Sequence, residues 1–476
     1  MTINSTIPAS IRRPGAYHEF KFLASGQQLV ALPQRVVIVA EMSLTGAATP
    51  ELPVQVFDED DADTKGGKGS LAALLCKTAL AQAKIGGVGS PEIWMCPSIA
   101  PVGGAAAAQT LTVTVATAEA GTIVLRIAGR VVNVGVSAGD AQNTIATAIK
   151  NKLDEMKATL PVTGAVAANV VTATNVTKGV NGNDVVFELL SKPNGVTVAL
   201  AASVVGAGTA PIANPIAALY DRRYHAIALA NHTVGDAAAI LAERVSAWSF
   251  TQKNYRFFFI GERGSLGTAQ TLQASYNDFG VLIINCEGSP SMPGELAVCA
   301  AVAEFSREKP NANLDNERLA LVPPSGALAF TNAEVESALS GGVTPLTPDG
   351  VYVKIERLVT TQITFNSAPF EPLRDIAYPR TAAYMAEQID IGYLTGFRQE
   401  VLDDDPEGDI RARVRDMVIE KHRAAQKASI IRDVDSFLDQ IQVEIASSPA
   451  GRLIVSDPFR VAGPLHQGAF VHSMYL

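Results

Sequence analysis

The feature that most narrows what this chain can fold into is a set of short apolar runs without polar alternation: Arg35–Ala40 (RVVIVA), Arg256–Ile260 (RFFFI) and Val281–Asn285 (VLIIN). A strand with one wet face alternates apolar and polar residues, so a run that is apolar throughout needs cover on both faces. Amphipathic stretches stand between the runs. A helix over Ser70–Lys84 separates the first from a strand at Glu92–Cys96 (EIWMC). The rhythm resumes with a strand at His225–Ala230 and a helix at Asp236–Trp248, then helices near Thr268–Tyr276 and Gly294–Arg307 beside the later strands. In the helix at 236–248, Leu241, Val245 and Trp248 are expected to share a face, with Asp236 as N-cap. This alternation predicts an α/β fold built on a mainly parallel sheet.

The chemistry changes over 101–210, to Thr, Val, Ala, Gly and Asn with few aromatics. Strands are expected at Thr110–Val115, Thr122–Ile127, Arg130–Val136 after the turn residue Gly129, Asn169–Thr174 and Asp184–Leu190, with one helix at Asp140–Leu153. An insertion whose ends return to neighbouring points interrupts a fold without destroying it. Beyond Pro323 come a helix at Asn332–Leu339 and an alternating strand Val351–Thr361, launched by the turn Thr347-Pro348-Asp349-Gly350. Two long helices follow, Pro379–Tyr393 and Asp409–Ala428, then a last αβ segment and a strand-like tail.

A chain of 476 residues exceeds what one core usually organises. The expected division is an N-terminal arm (1–30), an α/β domain (31–100 with 211–322), an inserted β-rich domain (101–210), an α+β C-terminal domain (323–467) and a C-terminal strand arm (468–476). No internal repeat is evident.

Charged residues make up only 18% against 47% hydrophobic, a low charge density that points to surface buried against partners. The net charge of -9 and the lack of a basic run argue against nucleic acid as partner. No stretch has the length and apolarity of a membrane span, and the N-terminus lacks an apolar signal core, so no membrane insertion and synthesis in a cytosol are expected. Cys76, Cys96, Cys286 and Cys299 form no CxxC pattern and are expected as buried free thiols.

Lys65-Gly66-Gly67-Lys68-Gly69-Ser70 lies between a strand and a helix, where a phosphate loop would sit. It lacks the leading glycine, and Gly69 stands where a metal-holding Ser or Thr belongs. A flexible loop ending in a Ser70 cap is the expected structure. The six histidines offer no HxxxH or HExxH. His466 and His472 could share a strand face as metal ligands, but such pairs more often pack or face solvent. No GxSxG elbow nominates a nucleophile. Asp403-Asp404-Asp405 precedes the helix at Asp409, where carboxylates suit the helix dipole better than a divalent metal. That helix carries Arg411, Arg413, Arg415, Lys421, Arg423 and Lys427, a solvated face or a partner for an acidic loop of a neighbour. No catalytic, cofactor-binding or metal residue is nominated, and no cofactor is expected.

Several segments, in order, resemble the tail sheath family of contractile phages, in its Mu-like branch. Arg13-Pro14-Gly15-Ala16-Tyr17-His18-Glu19-Phe20 is similar to an "RxPGxYxEF" arm, and Gly67-Lys68-Gly69-Ser70-Leu71-Ala72 to a "GxGSxLA" helix start. Glu92-Ile93-Trp94 looks like an "ELW" strand, and Gly342-Val343-Thr344-Pro345-Leu346 with Val353-Lys354-Ile355-Glu356-Arg357-Leu358-Val359-Thr360-Thr361 is similar to "GxTPL…VxIxRxxTT". These motifs do not cover the insertion.

The resemblance implies a structural virion subunit, not an enzyme, that stacks in rings as a helical homopolymer around a tail tube. Baseplate and tail terminator proteins are its further implied partners. Assembly in the bacterial host cytoplasm is implied, with contraction driving the tube through the host envelope during genome delivery. A sheath of a phage-tail-like bacteriocin or related injection system is the alternative, with an α/β hydrolase or nucleotide-binding enzyme a distant one. The resemblance also implies terminal strands exchanged between neighbours. In the N-terminal arm, His18, Phe20 and Phe22 alternate with Tyr17, Glu19 and Lys21, the period of a half-buried strand. The tail, with Phe470, Val471, His472, Met474 and Tyr475, is apolar on both faces, as a strand inserted centrally in a sheet would be.

Overall fold

The computed structural model describes residues 29, 33–85, 89–220, 222–398, 400, 409–446 and 451–466. They fall into two compact units, the described residues of 32–383 with 463–466, and those of 384–462 with residue 29.

The larger unit opens with β1 (Arg35–Glu41), β2 (Val54–Val56), α1 (Glu59–Gly66), α2 (Leu71–Ile85) and β3 (Glu92–Ser98). The intervening region then supplies β4 (Ala108–Val115), β5 (Gly121–Ile127), β6 (Arg130–Val136), α3 (Gln142–Glu155), β7 (Val162–Ala167), β8 (Val170–Asn175), β9 (Phe187–Ser191) and β10 (Val196–Val204). The rhythm resumes with α4 (Ala213–Ala217), β11 (Ala226–Leu229), α5 (Ala237–Ala247), β12 (Phe257–Glu262), α6 (Leu266–Ala274), β13 (Val281–Asn285) and α7 (Pro293–Phe305). Then come β14 (Arg318–Leu319), α8 (Asn332–Ser340), β15 (Thr344–Asp349), β16 (Tyr352–Ile355), β17 (Thr364–Phe365) and β18 (Ala368–Pro369). The chain continues with α9 (Ala377–Gly396), α10 (Ile410–Lys427), β19 (Ile431–Arg432), β20 (Gln442–Ile445), β21 (Leu453–Ser456) and β22 (Arg460–Val461).

Nine strands form one mixed sheet in the order β14-β16-β15-β13-β12-β11-β1-β3-β2. The six from β15 to β3 are parallel, and antiparallel strands finish both sides. The unbroken apolar runs are explained by burial on both faces. Val36, Ile38, Phe257 and Phe259 join the core cluster of α2 and α7, whereas Val37, Val39, Phe258 and Ile260 join that of α4, α5 and α6.

The intervening region makes two further sheets, β10-β4-β8-β7 and β6-β5-β9. Helix α3 buries Ile145, Ile149 and Leu153 in the same apolar cluster as α2 and β1. Strands β7 and β10 were absent from the sequence-based expectation. The Gly and Ala of β7 give little β-propensity, and the pairing with β8 makes it a strand; β10, with Val196, Thr197 and Val198, pairs with β4. The start of the strand expected from Asp184 is instead a 3₁₀ turn, Val180–Asp184.

Two further expectations need correction. In α5, the inner face is Ala237, Ile240 and Ala247, while Val245 is 58% exposed. Asp236 precedes the helix, but its carboxylate accepts from the N–H and hydroxyl of Thr233, at 2.7 Å each, rather than from the helix. Of the expected strand 351–361 only Tyr352–Ile355 is strand, β16, and it pairs with β15, which takes in Thr347–Asp349 of the expected turn; the rest is a buried loop. Its alternating polar residues satisfy the loop instead of a ladder: Thr360 Oγ1 donates to the Leu373 carbonyl at 2.8 Å and Thr361 Oγ1 to that of Asp278 at 2.9 Å.

In the smaller unit, Met385 of α9 meets Ala425 of α10, Ile430, Ile431 and Val434 in an apolar cluster. Gly392 faces α10 closely: a Cβ there would lie 2.8 Å from Met417 Sδ and push that side chain aside.

Candidate assembly surfaces

The glycine loop before α2 is a packed structural turn with Gly66, Gly67 and Gly69 buried, not the flexible loop expected. Ser70 is fully buried, and its Oγ accepts the Ala73 N–H at 3.1 Å as a helix cap. Gly69 has φ +74, and a Cβ there would fall 2.7 Å from the Lys157 and Leu160 carbonyl oxygens. The space over the loop is therefore taken by the chain itself.

The carboxyl ends of β1 and β11 form the switch point of the sheet, since the chain leaves β1 towards β3 and leaves β11 towards β12. Open α/β sheets bind ligands at such a crevice. Here the turn Val180–Asp184 occupies it. Asn181 Nδ2 donates to Glu41 Oε2 at 2.8 Å, Asn231 Nδ2 to Glu41 Oε1 at 3.2 Å, and Arg263 Nη1 to the Asp184 carbonyl at 2.9 Å. Burial pushes the Glu41 carboxyl up to about 7, against the opposing effect of the two amide bonds. Burial also raises Asp184 and lowers His232 from their ordinary ranges.

The buried thiols of Cys96 and Cys286 are pushed up to about 12, and those of Cys76 and Cys299 are raised as well, so none is an activated nucleophile. Among the described residues no group of three His, Cys, Asp or Glu could hold a metal ion, and no helix is long and apolar enough to cross a membrane.

Backbone edges are where the surface has most to offer a partner chain. Both edges of the large sheet are covered from within. Beside β2, Lys65 Nζ donates to the Gln55 carbonyl at 2.7 Å, and Asp61 Oδ2 accepts the Phe57 N–H at 3.0 Å. Beside β14, the Gln82 side chain donates to the Arg318 carbonyl at 3.2 Å and accepts the Ala320 N–H at 2.7 Å. The hairpin β20–β21 in the smaller unit differs. Its two strands pair only with each other among the described residues, and Ile454 and Val455 are exposed. Arg415 of α10 holds its root, donating to the carbonyls of Ile441 at 2.9 Å and Leu438 at 2.7 Å. The runs QVEI and LIVS are too short for periodicity to have marked this hairpin beforehand.

The strand-exchange residues Tyr17, His18, Phe20, Phe22, Phe470, Val471, His472, Met474 and Tyr475 lie outside the described residues, as does the acidic run at 403–405. Asp409 caps α10 through the Arg411 N–H at 2.8 Å. The basic residues of that helix find local partners, Arg411 with Asp409 and Arg413 with Glu400. His466 sits between Asp315 and Asp375, 2.7 Å from each.

No family model matches the chain. A curated relative, the Mu-like prophage FluMu tail sheath protein of Haemophilus influenzae, is 24% identical over 364 residues, 75% of this chain and 74% of the relative. Two solved structures share the fold. The sheath tail protein of Desulfitobacterium hafniense aligns with a TM-score of 0.51 at 16% identity, over 94% of this chain and 100% of that one. That of Listeria innocua aligns with a TM-score of 0.53 at 16% identity, over 91% and 93%. Sequence relative and fold agree with the motifs read from the sequence: the chain is similar to contractile-tail sheath proteins of the Mu-like branch.

Proposed function

We propose that the chain is the repeating subunit of a contractile tail sheath, polymerising as a helix of stacked rings around a tail tube and shortening to drive the tube through the host envelope. The observation that carries this reading is the likeness to a tail sheath protein through three quarters of both chains. Other copies of itself, the tube protein, the baseplate and the tail terminator are its partners, and the virion tail, assembled in the host cytoplasm, is its place. Its work is conformational, with no bond made or broken. The insertion, 101–210, faces outward from the tube.

Polymerisation proceeds by strand exchange. A heterologous contact that does not close builds a helical polymer, and an added strand supplies main-chain hydrogen bonds that tolerate sliding side chains. The covered edges of the large sheet and the bare hairpin β20–β21 support that hairpin as receiver. A two-stranded sheet is marginal alone and gains from added strands. The arms Tyr17–Phe22 and Phe470–Tyr475 are the donors.

Negative-stain microscopy of the purified protein tests the reading. Tubes or rings are expected, and dispersed particles at every concentration would overturn it. Truncation before Gly468, or Phe470→Pro, which removes a ladder donor, is expected to leave normal circular dichroism and no tubes. Normal tubes from the truncated protein would sink strand exchange, and global unfolding would assign the tail to its own subunit's core.

A further inference from the structure

His466 has a carboxylate on each ring nitrogen: Nδ1 lies 2.7 Å from Asp315 Oδ2 and Nε2 lies 2.7 Å from Asp375 Oδ2. Both acceptors are braced from behind. Asn313 Nδ2 donates to Asp315 Oδ2 at 2.9 Å and also to the Leu465 carbonyl at 2.9 Å. Asp375 accepts from Arg357 Nη2 at 3.3 Å, and its Oδ1 takes the Ala377 N–H at 2.8 Å at the start of α9. The buried Glu304–Arg380 ion pair completes the charged surroundings. The imidazole has a polar nitrogen on each side, so carboxylates 2.7 Å from both hold the ring from two directions through hydrogen bonds to charged groups. Asp375 and Asp315 are only 7% and 17% exposed, which strengthens such charge-assisted bonds.

We propose that His466, bridging Asp315 and Asp375, is the fastener that fixes the point at which the C-terminal tail leaves its own subunit. The proposal rests on the strand-exchange reading and adds to it a root for the exchanged strand. Residues 467–476 span at most about 35 Å when extended, so the place from which they start decides which neighbour they reach. A fixed root also keeps the strand's effective concentration at its receiver high, which a loosened one lowers.

The test uses the full-length protein, kept unassembled at low concentration, with Gln467→Cys carrying a spin label. All four native cysteines are buried, so the new thiol is the one labelled. The label is expected to be restricted in this background and to move freely once His466→Gln or Asp315→Asn is added, while the thermal melt changes little. Tube formation by each variant is expected to fall about tenfold, the factor matching the loss of one charge-assisted hydrogen bond. Equal label mobility with and without His466 would overturn the clasp. A freed label with undiminished assembly would overturn its part in strand exchange. Should truncation before Gly468 leave assembly intact, strand exchange itself fails, while the label still judges the clasp.

Discussion

Glu41 is a buried carboxylate whose ionisation is coupled to the fold near neutral pH. It is 1% exposed, and its folded pKa of about 7 lies above the value of 4.5 for a free glutamate. The native state therefore holds this proton more tightly than the unfolded one. Its contribution is most favourable below about pH 4.5 and is lost as pH rises through 7, a total of about 3 kcal/mol. Glu41→Gln, which cannot ionise, is expected to flatten that part of the urea-stability profile between pH 5 and pH 8. An unchanged slope in the variant would assign the pH dependence elsewhere. Nothing in the composition marks Glu41, because a carboxylate ending an apolar strand reads as a solvated terminus. The turn Val180–Asp184, some 140 residues later, buries it.

At the scale of elements, the sequence locates helices better than it orients them. The run 236–248 reads as amphipathic through its large residues, yet α5 turns Ala237, Ile240 and Ala247 inward and leaves Val245 exposed. Ile240→Ala is expected to cost about 2–4 kcal/mol and Val245→Ala less than about 0.5 kcal/mol. Chemical melts of the two variants check this, and equal losses would restore the face through Val245. The edges show the same division. Gln82 reads as one polar position of α2, but its amide closes β14 with two hydrogen bonds. Gln82→Ala is expected to destabilise by about 1 kcal/mol, as a part-buried N–H and carbonyl lose their partners. A melt within error of the parent would show the edge indifferent to this cover.

Across the whole molecule, the intervening region is fastened to the large sheet by buried polar contacts. Besides Asn181 on Glu41, Arg130 meets Glu295 at 2.6 Å, and Lys77 donates to the Ala158 carbonyl at 2.7 Å. Glu295 is 3% exposed and also accepts from Thr78 and the Met292 N–H, so losing Arg130 leaves a buried charge short of its cation. Replacing 101–210 by a short Gly/Ser linker is therefore expected to lower the melting temperature markedly and to reduce soluble yield, both read directly from the purified protein. A linker variant as stable as the parent would show that these contacts add nothing to the larger unit. What the sequence alone determined is the alternation of doubly buried strands with helices, the change of chemistry at 101–210, the Ser70 cap and the family motifs, since each is written in local spacing and composition. The tertiary structure alone decided which helix faces turn inward, what fills the switch-point crevice, which sheet edges are covered, and that His466 bridges Asp315 and Asp375. Those depend on residues tens to hundreds of positions apart, and burial and hydrogen bonding between such residues leave no period in the chain.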